Sequence, residues 1–505
     1  MLNFIKKYWV VAGIAVVFTT LAIAAAVFRF NNYESGTFDL GIFVQIIKNN
    51  VYGVVSSNGF PLWGNLGGLS QLAAHFSPIL FVLDPFYKIW QSPITLLVIQ
   101  AVLVGISGIE IYYLSRLLGL SHKIATFIEV VFFVNPLVWS MLIYDFHEIC
   151  FAIPLVLLLI IGYFKKSWWL FGIGLVLALM VKEDVIVTIG ILGMVLLITG
   201  WFVKKQHRVN RYAITMIVMA GVVGIVAFVV SKMASQNLSP QIVNFLTERY
   251  GSSNSNMFSE MIWYIRHMFD VYSIGQIFAY FAPLCFLPLI CMESLEWTIP
   301  AMFVLLVAMI TTWSGQHQFI NQYGATAVPY LFTATVIAMK QNKINIEKNW
   351  KWIASGIGVA VVIVFFFTNL TCINEVIAPN FNNERSMASK DLNQVVDDIP
   401  KGANNNSISI TGNNQVFPHL ISHYDTYAAQ TELGSIDSIW GYPQTITDYV
   451  VTDTNKLIAQ GYTLSLTSTV IHNWDKETSQ KLSRDSRYQL VDSVNGVELW
   501  KLKGN

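Results

Sequence analysis

The feature that most limits the fold of this chain is a series of long apolar segments separated by polar ones. A helix needs about 20 consecutive apolar residues to cross the hydrocarbon core of a bilayer. Only 12% of the residues are charged, roughly half the fraction found in soluble domains. The sequence therefore predicts a mainly α-helical polytopic membrane protein with about eleven transmembrane helices. The spans lie at approximately 8–28, 93–115, 123–143, 149–164, 167–182, 186–203, 212–232, 275–291, 297–312, 323–340 and 352–372.

The lysines and arginines are divided unevenly between the two sets of connections. With a cytoplasmic N-terminus, the inside connections hold Lys6, Lys7, Arg116, Lys123, Lys165, Lys166, Lys204, Lys205, Arg208, Arg211, Lys340, Lys343, Lys348 and Lys351. The longer outside connections before residue 373 hold only Arg29, Lys48, Lys88, Lys182, Lys232, Arg249 and Arg266. This asymmetry is the positive-inside pattern, although the inside turn 293–296 has no basic residue. We expect a multi-pass cell-membrane protein with an extracytoplasmic C-terminal region, whose first apolar run is a retained anchor because no small-residue cleavage site follows it.

The composition changes to polar after residue 373. The short β-branched runs NSISITG (406–412), DYVVTD (448–453) and GVELWKL (496–502) favour strands, and 413–428 favours a strand, a short helix and a return strand. This alternation predicts an α/β domain. We therefore expect a transmembrane domain over 1–373, with long outer loops at 29–92 and 233–274, and an extracytoplasmic α/β domain over 374–505.

Composition and motifs exclude several classes of function. The net charge of +1, without a basic tract, argues against nucleic-acid binding. The four cysteines, Cys150, Cys285, Cys291 and Cys372, contain no CxxC pair and lie in or beside apolar segments, so they predict neither a disulfide framework nor a zinc site. SITGNN is not a GxGxxG motif, so no dinucleotide fingerprint is present.

Three groups of ionisable residues fall on one side of the predicted membrane. Asp39 and His75 lie in the first outer loop, whereas the other two groups lie at the outer ends of the third and fifth spans. A charge at the bilayer centre costs about 2.5 to 3.5 kcal/mol on insertion scales, so VKEDV (181–185) indicates an interface or a polar cavity. The latter two groups are Asp145, His147 and Glu148 in YDFHEIC, and Lys182, Glu183 and Asp184 in MVKEDVI.

Each of these residues also has a purely structural interpretation. Asp39 follows Thr37 and could complement the positive end of a short helix over about 38–48. Lys182 and Asp184 could mark only the membrane boundary. His75 could cap the entry to the next helix, and a His-Glu pair such as His147 and Glu148 is often an ordinary surface pair. Together, however, the three groups indicate a site.

These residues also carry a resemblance to a known family. The motifs FDLGIF, HFSPI, FHE and KED, in this order, resemble a widespread prokaryotic family of polytopic membrane proteins of unknown function within the GT-C glycosyltransferase superfamily. The resemblance covers nearly the whole chain. One departure lies near the start of the tenth span, where the family pattern has a His-Tyr pair and this chain has Gln322 and Tyr323.

The resemblance implies a transfer of a sugar from a polyprenyl-phosphate-linked donor to an acceptor glycan, polymer or protein on the outer face. Asp39 matches the acidic residue of the first outer loop in GT-C enzymes, which acts as catalytic base or organises the site. Lys182, Arg249, Arg266 or a bound divalent cation would stabilise the leaving phosphate. Asp145 would bind the substrate, and His75, His147, Glu148, Glu183 and Asp184 would orient substrate hydroxyls or complete a metal site. Their spacing fits no standard metal signature, so we assign no metal ligand and leave the cofactor open.

Two other classes of function compete with this interpretation. A polar-solute transporter or channel would use the same acidic residues to line a cavity, but it predicts inverted repeats and ionisable residues deep within spans. We find no convincing repeat, and only Glu110 and Glu129 lie deep. A non-catalytic scaffold or sensor would only present the outer domain. The stretch 237–270 is expected to form interfacial helices over the outer face.

Overall fold

The computed structural model of the chain describes most of the helical region and part of the C-terminal region. The described residues are 2–33, 35–36, 40–53, 70–203, 210–234, 266, 268–311, 314–317, 322–341, 346–367, 383–400, 408–412, 416–421, 425–428, 447–454, 476 and 478–504.

Several of the helices before residue 370 start at a short polar side chain that caps them. Ser92 and Asn135 accept hydrogen bonds from the backbone nitrogens of Ile94 and Leu137, and a proline follows each cap, a position where the missing N–H costs nothing. In chain order the helices are α1 (Leu2–Asn31), α2 (Ile42–Tyr52), α3 (Gln71–Ala74), α4 (Asp84–Ile89), α5 (Pro93–Leu117), α6 (His122–Phe133), α7 (Pro136–Ile143), α8 (Ala152–Lys165), α9 (Trp168–Leu179), α10 (Glu183–Ile198), α11 (Arg211–Ala234), α12 (Val271–Phe281), α13 (Met292–Ile310), α14 (Ser314–His317), α15 (Val328–Gln341) and α16 (Ile346–Phe367).

Six described helices are long and apolar enough to cross a membrane. They are Tyr8–Asn31, Pro93–Leu117, Glu148–Lys165, Glu183–Val203, Arg211–Ala234 and Met292–Ile310. The predicted third span is a seventh candidate, but it is bent by 45° between α6 and α7 because Asn135 and Pro136 interrupt the helix.

The predicted count of eleven spans is not confirmed over the described residues. Three of the remaining segments are shorter apolar helices, at Trp168–Leu179, Val271–Leu284 and Lys351–Val364. The predicted tenth span begins as a 3-10 helix, Gln322–Ala327, and becomes α-helical only at Val328. Hydropathy alone does not reveal such breaks, because the apolar composition continues through them.

Close approaches between helices are made at small residues. Helices α8 and α9 pack as an antiparallel pair, and a Cβ atom added at Gly174 of α9 would lie 2.5 Å from the backbone nitrogen of Leu159 of α8. Real Cβ atoms do not approach a backbone so closely, so glycine allows this packing distance. The pair ends at the polar turn before α10, and its packing therefore helps to set where Lys182, Glu183 and Asp184 lie.

The C-terminal region contains a five-stranded mixed sheet in the order β2-β1-β3-β5-β4. Helix α17 (Asn383–Asp397) precedes β1 (Ser409–Gly412), helix α18 (Phe417–Leu420), β2 (Asp425–Ala428), β3 (Tyr449–Asp453), β4 (Tyr488–Val494) and β5 (Val497–Leu502). Strand β1 is parallel to β2 and to β3, whereas β3–β5 and β4–β5 are antiparallel. The three β-branched runs form β1, β3 and β5, and the predicted short helix is α18.

The apolar side of this sheet packs against α17. Leu392 and Val395 of the helix lie with Ile410, Val451 and Leu499 of the strands in one buried cluster, which Tyr33 joins from the end of α1. Phe417 and Ile421, in contrast, belong to the large core of the helical bundle. The sheet and the bundle therefore share side chains through the end of α1 and the segment around α18.

Candidate functional site

Asp145, of the second predicted group, contacts the start of the first outer loop. It lies in the extended link after α7 and is almost fully buried. Its Oδ2 atom accepts a hydrogen bond of 2.8 Å from the backbone nitrogen of Gly36, and its Oδ1 atom lies 4.0 Å from a guanidinium nitrogen of Arg29, at the end of α1. The carboxylate thus connects the segment after α1 to the link between α7 and α8.

Glu148 and Lys182 form a buried ion pair between two helix starts. Glu148 begins the 3-10 turn before α8, and Lys182 immediately precedes α10. The Nζ atom lies 2.8 Å from Oε1, with the side chain of Glu148 fully buried and that of Lys182 only 17% exposed. Since a buried charge requires a partner, this pair joins the FHE and KED motifs.

Glu183 binds the segment after α3. One of its oxygens accepts a hydrogen bond from the backbone nitrogen of Phe76, and the other lies 3.4 Å from Nδ1 of His75. The side chains of His75 and Glu183 are 34% and 44% exposed, which makes them the accessible pair of the site. An imidazole and a carboxylate in contact can exchange a proton with a bound ligand.

Asp184 and His147 connect these residues to two further elements of the bundle. The Oδ2 atom of Asp184 accepts a hydrogen bond of 2.7 Å from the hydroxyl of Thr326, in the 3-10 helix before α15. The backbone nitrogen of His147 donates to Oε1 of Gln100 on α5 at 3.1 Å. Its Nδ1 atom lies 3.0 Å from the carbonyl oxygen of Asp145, a distance at which it donates a hydrogen bond.

We call the eight residues Arg29, His75, Asp145, His147, Glu148, Lys182, Glu183 and Asp184 the charged cluster. Glu148 also interacts electrostatically with His75 and His147, so the contacts form one continuous network. The four carboxylates outnumber the two permanent cations, Arg29 and Lys182. The cluster therefore has carboxylates available for proton removal and one partly exposed ammonium group, that of Lys182, for an anion.

Seven of the ten predicted site residues belong to the charged cluster, and the other three are Asp39, Arg249 and Arg266. Asp39 and Arg249 are outside the described residues, although the neighbours Gly36 and Leu40 of Asp39 are described. Arg266 is exposed, and no contact of the described part of the chain joins it to the charged cluster. The functional roles of all ten residues stay predictions.

The site also contains residues that the sequence analysis did not select. Arg29 was counted only for topology, yet it faces Asp145, and an arginine directly after a span was the available signal. Thr326 and Gln100 carried no signal, because single polar residues in apolar segments are common. Gln322, at the position of the family departure, is buried in the same 3-10 helix as Thr326.

A second acidic-basic pair lies at the start of α12. The Oδ2 atom of Asp270 is 2.7 Å from Nε2 of His317 in α14, while Oδ1 of Asp270 caps the helix by accepting from the nitrogen of Ser273. Gln276 donates to the carbonyl oxygen of His317. This pair joins α12 to α14, a structural role that explains the burial of His317.

The deep carboxylates Glu110 and Glu129 are not part of the cluster. Glu110 follows Gln100 by ten residues on α5, which corresponds to about 15 Å along a helix. Glu129 is fully buried on α6, and neither of its carboxyl oxygens has a hydrogen-bond partner within the described ranges. Over the same ranges, no group of three His, Cys, Asp or Glu side chains is arranged to hold a metal ion.

Comparison with known families agrees with this architecture. The family model described as "Predicted membrane protein (DUF2079)" matches residues 29–499, which include the charged cluster and the C-terminal sheet except for the end of β5. No curated protein matches the chain. Because the match extends over most of the sequence, the chain belongs to the DUF2079 family of membrane proteins.

Proposed function

We propose that this protein is a membrane glycosyltransferase that takes a sugar from a polyprenyl-phosphate-linked donor and transfers it to an acceptor on the extracytoplasmic face. The observation that carries the proposal is the convergence of three motifs that are distant in sequence. His75, Asp145, His147, Glu148 and Lys182–Asp184 share one network of contacts. Gly36, which precedes Asp39 by three residues in the sequence, donates a hydrogen bond to Asp145 of this network.

The proposed reaction needs one base and one group that accepts negative charge. Asp39 removes the proton of the acceptor hydroxyl, whose oxygen attacks the anomeric carbon, while the bond from that carbon to the phosphate oxygen breaks. The departing phosphate keeps the bonding electrons and needs no proton. Lys182 interacts electrostatically with Glu183 of the accessible pair, and it stabilises the negative charge of the leaving group.

The same proposal includes the topology. The eleven apolar segments cross or enter the bilayer, with the N-terminus in the cytoplasm and residues 374–505 outside as a separate domain. In this arrangement the charged cluster lies at the outer end of the bundle, where a lipid-linked donor can enter sideways from the outer leaflet. The apolar character of α5, α8, α10 and α11 supports a lateral contact with lipid.

The decisive experiment compares the wild type with Asp39→Asn on a panel of polyprenyl-phosphate-linked sugars. The purified full-length protein is placed in lipid vesicles, and release of the free polyprenyl phosphate is measured. We expect Asp39→Asn to lose about 10²- to 10⁴-fold in rate, the typical contribution of a general base, while it inserts normally.

The matched control is Asp84→Asn, which removes a carboxylate from α4 outside the charged cluster. It should release polyprenyl phosphate at the wild-type rate. Equal rates for Asp39→Asn and the wild type would refute the assigned base. Uptake of a polar solute into the same vesicles, without consumption of any lipid-linked sugar, would support transport instead.

A further inference from the structure

Among the described residues, contacts at the ends of α1 and α2 and around α18 attach the C-terminal region to the helical bundle, and we call this set of residues the seat. The seat consists of Phe30, Tyr33, Lys48, Phe417, His419 and Ile421. The Nζ atom of Lys48 on α2 donates a hydrogen bond of 2.8 Å to the carbonyl oxygen of Ile421. The hydroxyl of Tyr33 donates one of 2.8 Å to the side-chain oxygen of Asn393 on α17.

His419 occupies the centre of the seat. Its ring is stacked on Phe30, with centroids 4.0 Å apart and an interplanar angle of 16°. The ring is also stacked on Tyr33, with centroids 3.8 Å apart and an interplanar angle of 21°. The ring makes a hydrogen bond with the backbone of Phe30, but its Nε2 atom is buried and has no partner among the described residues.

This environment suits a neutral imidazole and opposes a protonated one. Protonation would add an N–H group at Nε2 that has no acceptor, and it would place a positive charge between apolar rings. Burial lowers the pKa of His419 from its ordinary 6.5 to about 3, although the hydrogen bond with the backbone of Phe30 acts in the opposite direction.

Several other ionisable groups lie around the seat. Arg29 on α1 faces Asp145, and Lys48 on α2 adds a positive charge at Ile421. Tyr33 keeps its proton, because burial and then the nearby Asp397 of α17 raise its pKa. Asp425 begins β2.

The seat is connected to the charged cluster. Phe30 follows Arg29, the partner of Asp145. A Cβ atom at Gly41 would lie 2.9 Å from the ring of Phe417. The backbone nitrogen of Gly41 donates to Gly36, which in turn donates to Asp145. Movement of α18 therefore changes the packing beside the segment that leads to Asp145.

We propose that the seat is a proton-operated latch, in which protonation of His419 releases the C-terminal region from α1 and α2 and loosens the segment bound to Asp145. This inference does not depend on the chemistry of the charged cluster. It assigns to His419 a conformational role and to the C-terminal region a response to acidification.

The direction in which docking changes with pH follows from the difference in the pKa of His419 between the docked and the released form. The docked form holds His419 with a pKa of about 3, and the released form has the ordinary pKa of 6.5. Docking is therefore complete above about pH 6.5 and weakens as the pH falls towards 3, because the released form binds more protons in that window. From about pH 7.5 to pH 5 the docking constant should fall about 30-fold.

Hydrogen exchange of the full-length protein in lipid nanodiscs tests the latch. Backbone protection of 416–421 is measured by mass spectrometry at about pH 7.5, 6.5 and 5, with correction for the intrinsic pH dependence of exchange. We expect the corrected protection of 416–421 to fall about 30-fold at pH 5, while protection of α8 stays constant. Unchanged protection of 416–421 would overturn the proposal.

The variant His419→Phe keeps a ring for stacking but cannot take up a proton. It should retain protection of 416–421 at pH 5, whereas the matched control His75→Gln should respond to pH as the wild type does. Loss of protection at pH 5 in a His419→Phe protein that is docked at pH 7.5 would overturn the proposal. If His419→Phe is not docked at pH 7.5, the wild-type titration decides: a loss that begins only below about pH 4.5 would assign the transition to carboxylates and refute the latch.

Discussion

At the scale of single residues, the strongest constraint is the pair Glu148–Lys182. The sequence places both residues beside apolar spans but leaves their partners open. In the structure the carboxylate is fully buried and the ammonium nearly so, so each is tolerated because the other is present. Removing one member of such a pair typically costs about 3–5 kcal/mol, whereas replacing both by apolar groups is often neutral.

We therefore expect Lys182→Met to lower the free energy of unfolding by about 3–5 kcal/mol, and the double variant Glu148→Leu/Lys182→Met to recover most of it. Denaturant unfolding of the purified protein in detergent measures both. The exposed pair Asp485–Arg487 offers the control, since Arg487→Met should leave unfolding nearly unchanged. A double variant as unstable as Lys182→Met would show that the two charges act independently.

At the scale of secondary-structure elements, the position of the KED motif depends on the packing of α8 and α9. Gly174 faces the backbone of Leu159, and a methyl group there would meet the backbone nitrogen at 2.5 Å. Gly172 lies on the same helix with nothing within 4 Å of an added Cβ atom. The two glycines look alike in the sequence, and only the packing distinguishes them.

Gly174→Ala should force α8 and α9 apart and reduce the free energy of unfolding by about 1–3 kcal/mol, the usual cost of overpacking. Gly172→Ala should be neutral or slightly stabilising, because alanine has the higher helix propensity. Thermal unfolding of the two variants in the same detergent makes the comparison. Equal effects at the two positions would contradict the close contact of α8 with α9.

At the scale of the whole molecule, the bundle and the sheet contact each other at the seat. The orientation of the bundle in the membrane therefore determines the side on which the sheet lies. The charge asymmetry favours an extracytoplasmic sheet. The exposed Lys390 on α17 and Lys166 after α8 should then lie on opposite sides of the membrane.

This topology predicts the labelling of single cysteines by a membrane-impermeant thiol reagent, in a background without the four native cysteines. Lys390→Cys should react in intact cells, after removal of any outer barrier, and Lys166→Cys only after the membrane is permeabilised. Labelling is measured by the mass shift of the purified protein. The reverse pattern would place the charged cluster on the cytoplasmic side and remove the basis for an outer-face transferase.

The sequence alone determined the class of the molecule, because the long apolar runs leave the chain no favourable state outside a bilayer and because β-branched runs alternate with turns in the C-terminal region. It also selected most of the charged cluster, since charges beside apolar spans are costly wherever they lack a partner. Tertiary structure decided which charges pair and where the sheet contacts the bundle. It also decided that apolar segments are interrupted at Pro136 and at the 3-10 helix that begins at Gln322. His419 had no distinguishing signal in the sequence. Its neutral, buried state depends on the rings of Phe30 and Tyr33, which lie almost 400 residues earlier in the chain. Such long-range contacts depend on packing in three dimensions, which no local pattern of residues specifies.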